Sequence, residues 1–178
     1  MKPALGRHQR SAVRTFCEHI FQTLKSVDPN TALCDLREDP LPFFDGRLPL
    51  EHDHPAVKRW LDRVGHASCL YLGVPAYWGL PSGAAKNWLD VLSGPAYDLS
   101  DSRTVFDGKA VGMFVVGARD GDAEGASSSM HKAVEAVGMR LSVPPLLLDN
   151  PRSAKVNWNT FGQQLTLHAG QCLRSSIV

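Results

Sequence analysis

The stretch from Ser68 to Gly94 constrains the fold of this chain more than any other. Its first part, Ser68–Val74, is apolar at nearly every position, which is typical of a strand covered on both faces in a parallel sheet. A turn rich in Pro and Gly follows, and then a helix with apolar residues at helical spacing over Ala85–Leu92, which Gly94-Pro95 ends. Ligands of open α/β sheets bind at the carboxyl ends of strands. The turn Pro75–Ser82 is therefore the first candidate site.

The remaining elements alternate between helix and strand. After a helix that begins at Ser11, the spacing of apolar residues predicts strands over Thr31–Leu36, Lys109–Val116 and Leu141–Leu148, separated by helices. This alternation indicates an α/β fold, a doubly wound parallel sheet flanked by helices on both faces. Only Met1–Leu5 precedes the first loop, and at ~3.3 Å per residue it makes a stub. We expect a shortened first strand or a chain that begins further upstream.

Length and charge restrict the class of protein. A chain of 178 residues predicts a single domain over residues 1–178. With 19 basic and 18 acidic residues, no general attraction to nucleic acid or to an anionic membrane is expected. The N-terminus lacks the apolar core of a signal peptide, and we expect a cytoplasmic protein. The four cysteines are far apart, are interpreted as small buried hydrophobic residues, and do not suggest a metal site.

The N-terminal loop has the character of an anion site. Ser11 is placed to cap the first helix, and Arg7, Arg10 and Arg14 lie close to that helix N-terminus in sequence. Free backbone amides, the helix dipole and guanidinium groups all favour a phosphate there. An arginine-rich solvated terminus is the alternative, and this stretch alone leaves both interpretations open.

Three loops lie at the carboxyl ends of successive predicted strands, at Gly6–Ser11, Pro75–Ser82 and Gly117–Gly125. The second contains an aromatic pair, Tyr77 and Trp78, and the third is a glycine-rich loop whose backbone can approach a flat ring closely. Together they suit a phosphorylated, planar, aromatic cofactor, and flavin mononucleotide (FMN) is the obvious candidate. The alternative is that both aromatic side chains belong to the core.

The loop and its helix carry a family resemblance. Pro75–Asp90 resembles the P-x-Y-x-x-x-x-S/P-G-x-L-K-N-x-I-D signature of the NADPH-dependent FMN reductase family, the flavodoxin-like group that includes quinone, chromate and azo reductases. Phe106–Val111 looks like the L-x-G-K-P-V entry to that family's fourth strand. In the phosphate loop, which usually reads G-S-x-R-x-x-S-x-N-R, only Ser11 and Arg14 match. Trp78 stands where a small or polar residue is common.

The resemblance implies a flavodoxin-like enzyme in which NAD(P)H reduces bound FMN and the reduced flavin passes electrons to a small-molecule acceptor. The acceptor would be a quinone, a nitro or azo compound, or free flavin. The flavin carries out the hydride chemistry, so no catalytic side chain and no metal are named. An electron carrier and a flavin-free interaction module are the alternatives. The implied cofactor-binding residues are Arg10, Ser11, Pro75, Ala76, Tyr77, Trp78, Gly79, Gly117, Ala118 and Arg119.

The resemblance also implies a homodimer or tetramer. In the family, the helix after the aromatic loop, here Ala84–Leu92, contributes to a dimer that completes the flavin site. Trp88 and Leu92 would be its apolar contacts. Their alternative role is packing against their own sheet, because helical periodicity does not say which body an apolar stripe faces.

Overall fold

The computed structural model describes residues 11–95, 103–153 and 155–175. Among the described residues, no helix is both long and apolar enough to cross a membrane. A short 3₁₀ helix, Pro49–Glu51, precedes the second α-helix. The other elements, in chain order, are α1 (Ala12–Val27), α2 (Pro55–His66), β1 (Cys69–Tyr77), β2 (Leu80–Pro81), α3 (Gly83–Ser93), β3 (Ala110–Gly117), α4 (Asp122–Ala136), β4 (Arg140–Leu141), β5 (Leu146–Asp149) and α5 (Trp158–Ser175).

The sheet is mostly parallel, as expected. β1 pairs with β3 in parallel along its length, from Cys69 opposite Ala110 to Ala76 opposite Gly117. The other edge of β3 pairs in parallel with β4 and then with β5. These two short strands follow one line, and Pro144-Pro145 interrupts it because proline cannot donate to the ladder. The predicted last strand and its interruption are therefore confirmed.

Helices cover both faces of the sheet, which confirms the doubly wound arrangement. All eight residues of β3 are buried. Val111, Met113 and Val115 point into a core that includes residues of α2, α3 and α4. Phe114 and Val116 point into a second core with residues of α1 and α5. The continuous apolar run of β3 is thus explained by burial on two sides.

The segment Thr31–Leu36 was expected to be a strand, and this prediction is wrong. Its residues form no ladder with any described strand. The outer edge of β1 over Cys69–Val74 likewise has no described strand partner. A groove of about 730 Å³ lies along that edge, between α1, α2 and the segment. The groove separates the segment from the unpaired edge of β1, so no strand forms, and Cys34 within the segment is exposed against expectation. The predicted first strand, Met1–Leu5, lies outside the described residues.

For Trp88 and Leu92 the sequence left two roles open, a contact between subunits or packing within their own chain, and the structure supports the second. Their exposed fractions are 6% and 0%, so both are buried within their own chain. The Trp88 ring packs edge-to-face against Phe106, with centroids 4.9 Å apart, and against Trp60 at 6.1 Å. The apolar stripe of α3 therefore faces its own sheet and α2.

Candidate functional site

The turn after β1 is a tight β-hairpin. β1 ends at Tyr77, β2 begins at Leu80, and the two pair in antiparallel register. The two residues between them, Trp78 and Gly79, have φ angles of 55° and 73°. Both lie in the left-handed region, as a type I′ turn requires. The hairpin therefore holds Trp78 at its tip in a conformation that a bulky residue rarely adopts.

Aromatic side chains line the outside of this hairpin. Tyr77 is 49% exposed and Trp78 is 79% exposed. Their ring centroids are 6.2 Å apart with planes tilted by 51°, so the rings do not stack on each other. Ala76, one residue earlier, is buried. The alternative that the aromatic pair belongs to the core is therefore excluded, and the pair forms a surface at the end of β1.

The loop after β3 lies directly beside the hairpin. The Ala118 amide donates to the Ala76 carbonyl oxygen at 3.2 Å, which continues the pairing of the two strands into the loops. Ala118 and Arg119 are exposed, and 65% of the Arg119 side chain is accessible. Gly117 is buried. The two loops thus present one continuous surface, with an aromatic pair on one side and a guanidinium group on the other.

Asp122 joins the two loops. One carboxylate oxygen, Oδ1, accepts a hydrogen bond from the Gly79 amide at 2.9 Å, and Oδ2 accepts one from the Arg119 amide at 3.1 Å. Asp122 is only 5% exposed. The sequence predicted that the backbone of the glycine-rich loop can approach a flat ring, and the structure adds that the Gly79 and Arg119 amides already have a partner. Sequence reasoning missed Asp122, because the sequence of an acidic loop does not show which of its carboxylates is buried and which are exposed to solvent.

Asp149, at the end of β5, fixes the start of α4. Its Oδ2 accepts from the Gly121 amide at 2.7 Å and its Oδ1 from the Ala123 amide at 2.9 Å. The first amides of a helix lack intrahelical partners and favour negative charge. Gly121 provides no side-chain cap, so Asp149 supplies one from another strand. Its position at the carboxyl end of a strand was the available sequence signal.

Two glycines permit this close packing. A Cβ atom on Gly117 would lie 2.0 Å from Asp149 Oδ1 and 2.7 Å from the Ala123 amide nitrogen. A Cβ atom on Gly125 would lie 2.7 Å from the carbonyl oxygen of Gly79. Any side chain at either position would push α4 away from the sheet or from the hairpin. The geometry of both loops therefore depends on these two residues.

The N-terminal anion site is only partly described. Ser11 is half-buried and occupies the N-cap position of α1, but its side chain makes no capping hydrogen bond. Arg14 was grouped with the phosphate-binding cations, and the structure corrects this. Its guanidinium forms ion pairs with Glu18 at 2.8 Å, Asp35 at 3.0 Å and Glu38. These acidic groups raise the pKa of Arg14, and the hydrogen bond that Arg14 donates to Glu18 is the largest cause.

Arg10 lies outside the described residues, so the cations of this loop remain a prediction. The position of α1 is nevertheless clear, because a Cβ atom on Gly73 of β1 would lie 2.8 Å from Val13 in the first turn of α1. The N-terminus of α1 is therefore close to the second half of β1. The first amides of α1 have no intrahelical partner, and they suit an anion.

The described residues fit the ring of a planar cofactor. Ideal Cβ atoms on Gly79 and on Gly121 would meet nothing within 4 Å, so the backbone of each loop faces open space. Exposed Tyr77 and Trp78 offer apolar faces, and the exposed guanidinium of Arg119 suits electron-rich oxygen atoms. Pro75 supports the hairpin, because its carbonyl oxygen accepts a hydrogen bond from the Ser82 amide at 2.8 Å.

Solved structures show the same fold. An NADH:FMN oxidoreductase in its apo form is 15% identical with a TM-score of 0.65, covering 96% of this chain and 85% of that one. The NAD(P)H:acceptor oxidoreductase of Paracoccus denitrificans is 17% identical with a TM-score of 0.68, and the match covers 97% of this chain and 93% of that one. An azoreductase from Bacillus anthracis is 10% identical with a TM-score of 0.57, and the match covers 97% of this chain and 93% of that one. At these identities the likeness concerns the fold.

The sequence comparison identifies the family, whereas the structural comparison shows only the fold. No curated protein matches this chain. The family model for NADPH-dependent FMN reductases matches residues 6–147, which include the N-terminal loop, the aromatic hairpin and the loop after β3. The chain therefore belongs to the NADPH-dependent FMN reductase family, a family of oxidoreductases that use FMN and a nicotinamide reductant.

Proposed function

We propose that this protein oxidises NAD(P)H through bound FMN and passes the electrons to a quinone, a nitro or azo compound, or free flavin. The observation that carries this proposal is the exposed pair Tyr77 and Trp78, held on a rigid hairpin at the joined carboxyl ends of β1 and β3. An aromatic surface at the cofactor edge suits planar aromatic acceptors better than metal oxyanions. Because NAD(P)H is a cytoplasmic reductant, the same proposal assigns the enzyme to the cytoplasm.

The residues divide into three groups in this proposal. Tyr77–Gly79 and Ala118–Arg119 hold the flavin ring, while Ser11, Arg10 and the first amides of α1 hold the phosphate. Pro75, Ala76 and Gly117 support the ring loops through their backbone and small size. Bound FMN supplies the hydride and electron chemistry. The protein would bind and orient the ring, and the exposed Trp78 would contact the acceptor.

The direct test combines binding with turnover. FMN is titrated into purified protein by fluorescence quenching, and NADPH or NADH oxidation is then followed with menadione or FMN as acceptor. We expect saturable FMN binding and acceptor-dependent turnover. Bound flavin that NAD(P)H does not bleach would favour an electron carrier, which needs a partner reductase, and protein that binds no flavin would favour an interaction module. Either outcome would contradict the proposal.

Trp78 gives a specific prediction because it combines strain with exposure. A left-handed conformation costs a non-glycine residue roughly 1–2 kcal/mol, and this side chain buries little in return. We expect Trp78→Gly to raise the free energy of unfolding by about 1 kcal/mol. The same variant should lower turnover with menadione several-fold relative to ferricyanide, which does not stack on an aromatic ring. Urea unfolding and steady-state kinetics measure the two effects.

Leu80→Gly is the matched control for Trp78→Gly. Leu80 is also an exposed apolar residue of the hairpin, at 59%, but its φ is not positive. Glycine should therefore destabilise this position by about 0.5–1 kcal/mol. A loss of stability in Trp78→Gly similar to that of Leu80→Gly would show that Trp78 is not strained. An unchanged ratio of menadione to ferricyanide turnover would remove Trp78 from the acceptor site.

We further propose a homodimer that uses the surface beside α3. Phe43 and Leu50 are each 90% exposed. Asn87 of α3 anchors the loop that carries Phe43, since its Oδ1 accepts from the Phe44 amide at 2.9 Å and its Nδ2 donates to the Pro42 carbonyl at 2.8 Å. Leu50 lies on the 3₁₀ helix that packs against α3. These side chains replace Trp88 and Leu92 as the expected apolar contacts.

The dimer prediction is tested by placing charge on this surface. We expect the double variant Phe43→Asp, Leu50→Asp to be monomeric at concentrations at which the wild type is dimeric, because burying an unpaired carboxylate is unfavourable. Analytical ultracentrifugation measures the difference. Val27→Asp, at a 71% exposed position on α1, is the matched control and should remain dimeric. A double variant that stays dimeric would show that subunits meet elsewhere.

A further inference from the structure

Asp122 combines three properties that rarely occur together. Its side chain is only 7% exposed. It binds amides of both ring loops, that of Gly79 in the hairpin and that of Arg119 in the loop after β3. It is also the first residue of α4, whose Gly125 packs against the carbonyl oxygen of Gly79. A single buried carboxylate therefore sets the spacing between the two loops of the ring site.

In the part of the chain that the structure describes, backbone groups rather than a hydrogen-bonded cation stabilise the charge of Asp122, which accepts from two amides and lies in the first turn of α4. Among the described residues, the cation recorded beside it is Arg119, whose Nε lies 3.7 Å from Oδ2, beyond hydrogen-bond distance. The Arg119 side chain is 65% exposed, so water screens this ion pair. Backbone amides solvate the carboxylate with partial charges only. Among the described residues, the carboxylate thus lies one hydrogen bond from the backbone of both loops and forms no hydrogen bond to a cationic side chain.

We propose that Asp122 positions the two ring loops and, through its charge, makes the site bind oxidised FMN more tightly than reduced FMN. This inference rests on the proposed function. Reduction of the flavin by two electrons and one proton adds one negative charge to its ring, and a buried carboxylate disfavours additional negative charge nearby. The midpoint potential of bound FMN is lowered as a result. Asp122 acts through the loops and the electrostatic field, so it is a positioning residue.

The test is the neutral variant Asp122→Asn, which keeps the shape of the side chain. We expect the ratio of the dissociation constants of oxidised and reduced FMN to change about tenfold in favour of the reduced form, equivalent to a midpoint potential about 30 mV more positive. Oxidised FMN should also bind more weakly, because the asparagine amide nitrogen cannot accept a hydrogen bond. Spectroelectrochemistry of the FMN-loaded protein and fluorescence titration measure these two effects.

Two further variants serve as controls. One tests whether removing any nearby charge has the same effect, and the other guards against misfolding of Asp122→Asn. Asp120→Asn removes an exposed carboxylate of the same loop and should change the ratio less than twofold. Asp122→Ser is also neutral, and serine is favourable at a helix N-terminus. It should shift the potential in the same direction as Asp122→Asn, so either folded variant suffices for the test.

The inference is overturned if the neutral variants at position 122 bind FMN with the wild-type midpoint potential, or shift it no more than Asp120→Asn does. Loss of FMN affinity without a change in potential would leave Asp122 a structural residue and would equally overturn the electrostatic role. A wild-type protein that binds no FMN would instead refute the proposed function. The two failures are therefore distinguishable.

Discussion

Gly117→Ala should lower the free energy of unfolding by about 3 kcal/mol, at the upper end of the usual cost of overpacking. The added methyl would lie 2.0 Å from Asp149 Oδ1, 2.7 Å from the Ala123 amide nitrogen and 2.9 Å from Asp122 Cβ. Two of these contacts are with the groups that fix the start of α4. The Asp149 carboxylate must move, and its hydrogen bonds to the Gly121 and Ala123 amides weaken.

The same substitution should weaken FMN binding at least tenfold, because the loop after β3 loses its anchor. Urea unfolding and FMN fluorescence quenching measure the two effects. Gly83→Ala is the matched control: an alanine Cβ there meets nothing within 4 Å, and Gly83 is the first residue of α3. Its stability should be unchanged or raised by up to about 1 kcal/mol. Equal effects of the two substitutions would contradict the close approach at Gly117.

Phe114→Ala should cost about 3–5 kcal/mol, the range for removing a fully buried phenylalanine. Phe114 lies in the middle of β3 with an exposed fraction of 0%. Its ring packs edge-to-face on Phe16 of α1, with centroids 6.2 Å apart, and lies nearly parallel to the Tyr71 ring at 6.1 Å. A Cβ atom on Gly73 would lie 2.8 Å from the tip of the ring, so no larger neighbour shares this space.

Phe114→Leu is the control, because it keeps most of the buried apolar volume and should cost about 1–1.5 kcal/mol. Chemical denaturation at a fixed protein concentration gives both values. Similar losses for leucine and alanine would show that the core beside α1 can collapse around the cavity. Since Phe114 lies several residues before the ring loops, FMN affinity of the folded fraction should stay close to wild type in both variants.

The continuous apolar runs were sufficient to predict the buried strands β1 and β3, because burial on two faces removes polar residues from a strand. The Pro and Gly residues between a strand and a capped helix likewise predicted a turn, whereas the structure showed that this turn is a β-hairpin and that its aromatic pair is exposed, one of the two alternatives left open. Thr31–Leu36 shows the limit of this reasoning. Its composition favours a strand, but a strand forms only within hydrogen-bond distance of another edge, and a groove separates this segment from the edge of β1. The local sequence does not specify how far a segment lies from another strand edge.

The amino-acid sequence by itself determined the α/β class, the position of the candidate ring site and membership of a flavin reductase family. These properties depend on local spacing and on ordered motifs. Only the tertiary structure decided that Asp122 and Asp149 hold the ring loops, that Arg14 is engaged by three carboxylates, and that Trp88 packs inward. The reason is physical. Each of these roles depends on which distant groups approach a side chain, and sequence spacing does not specify that approach.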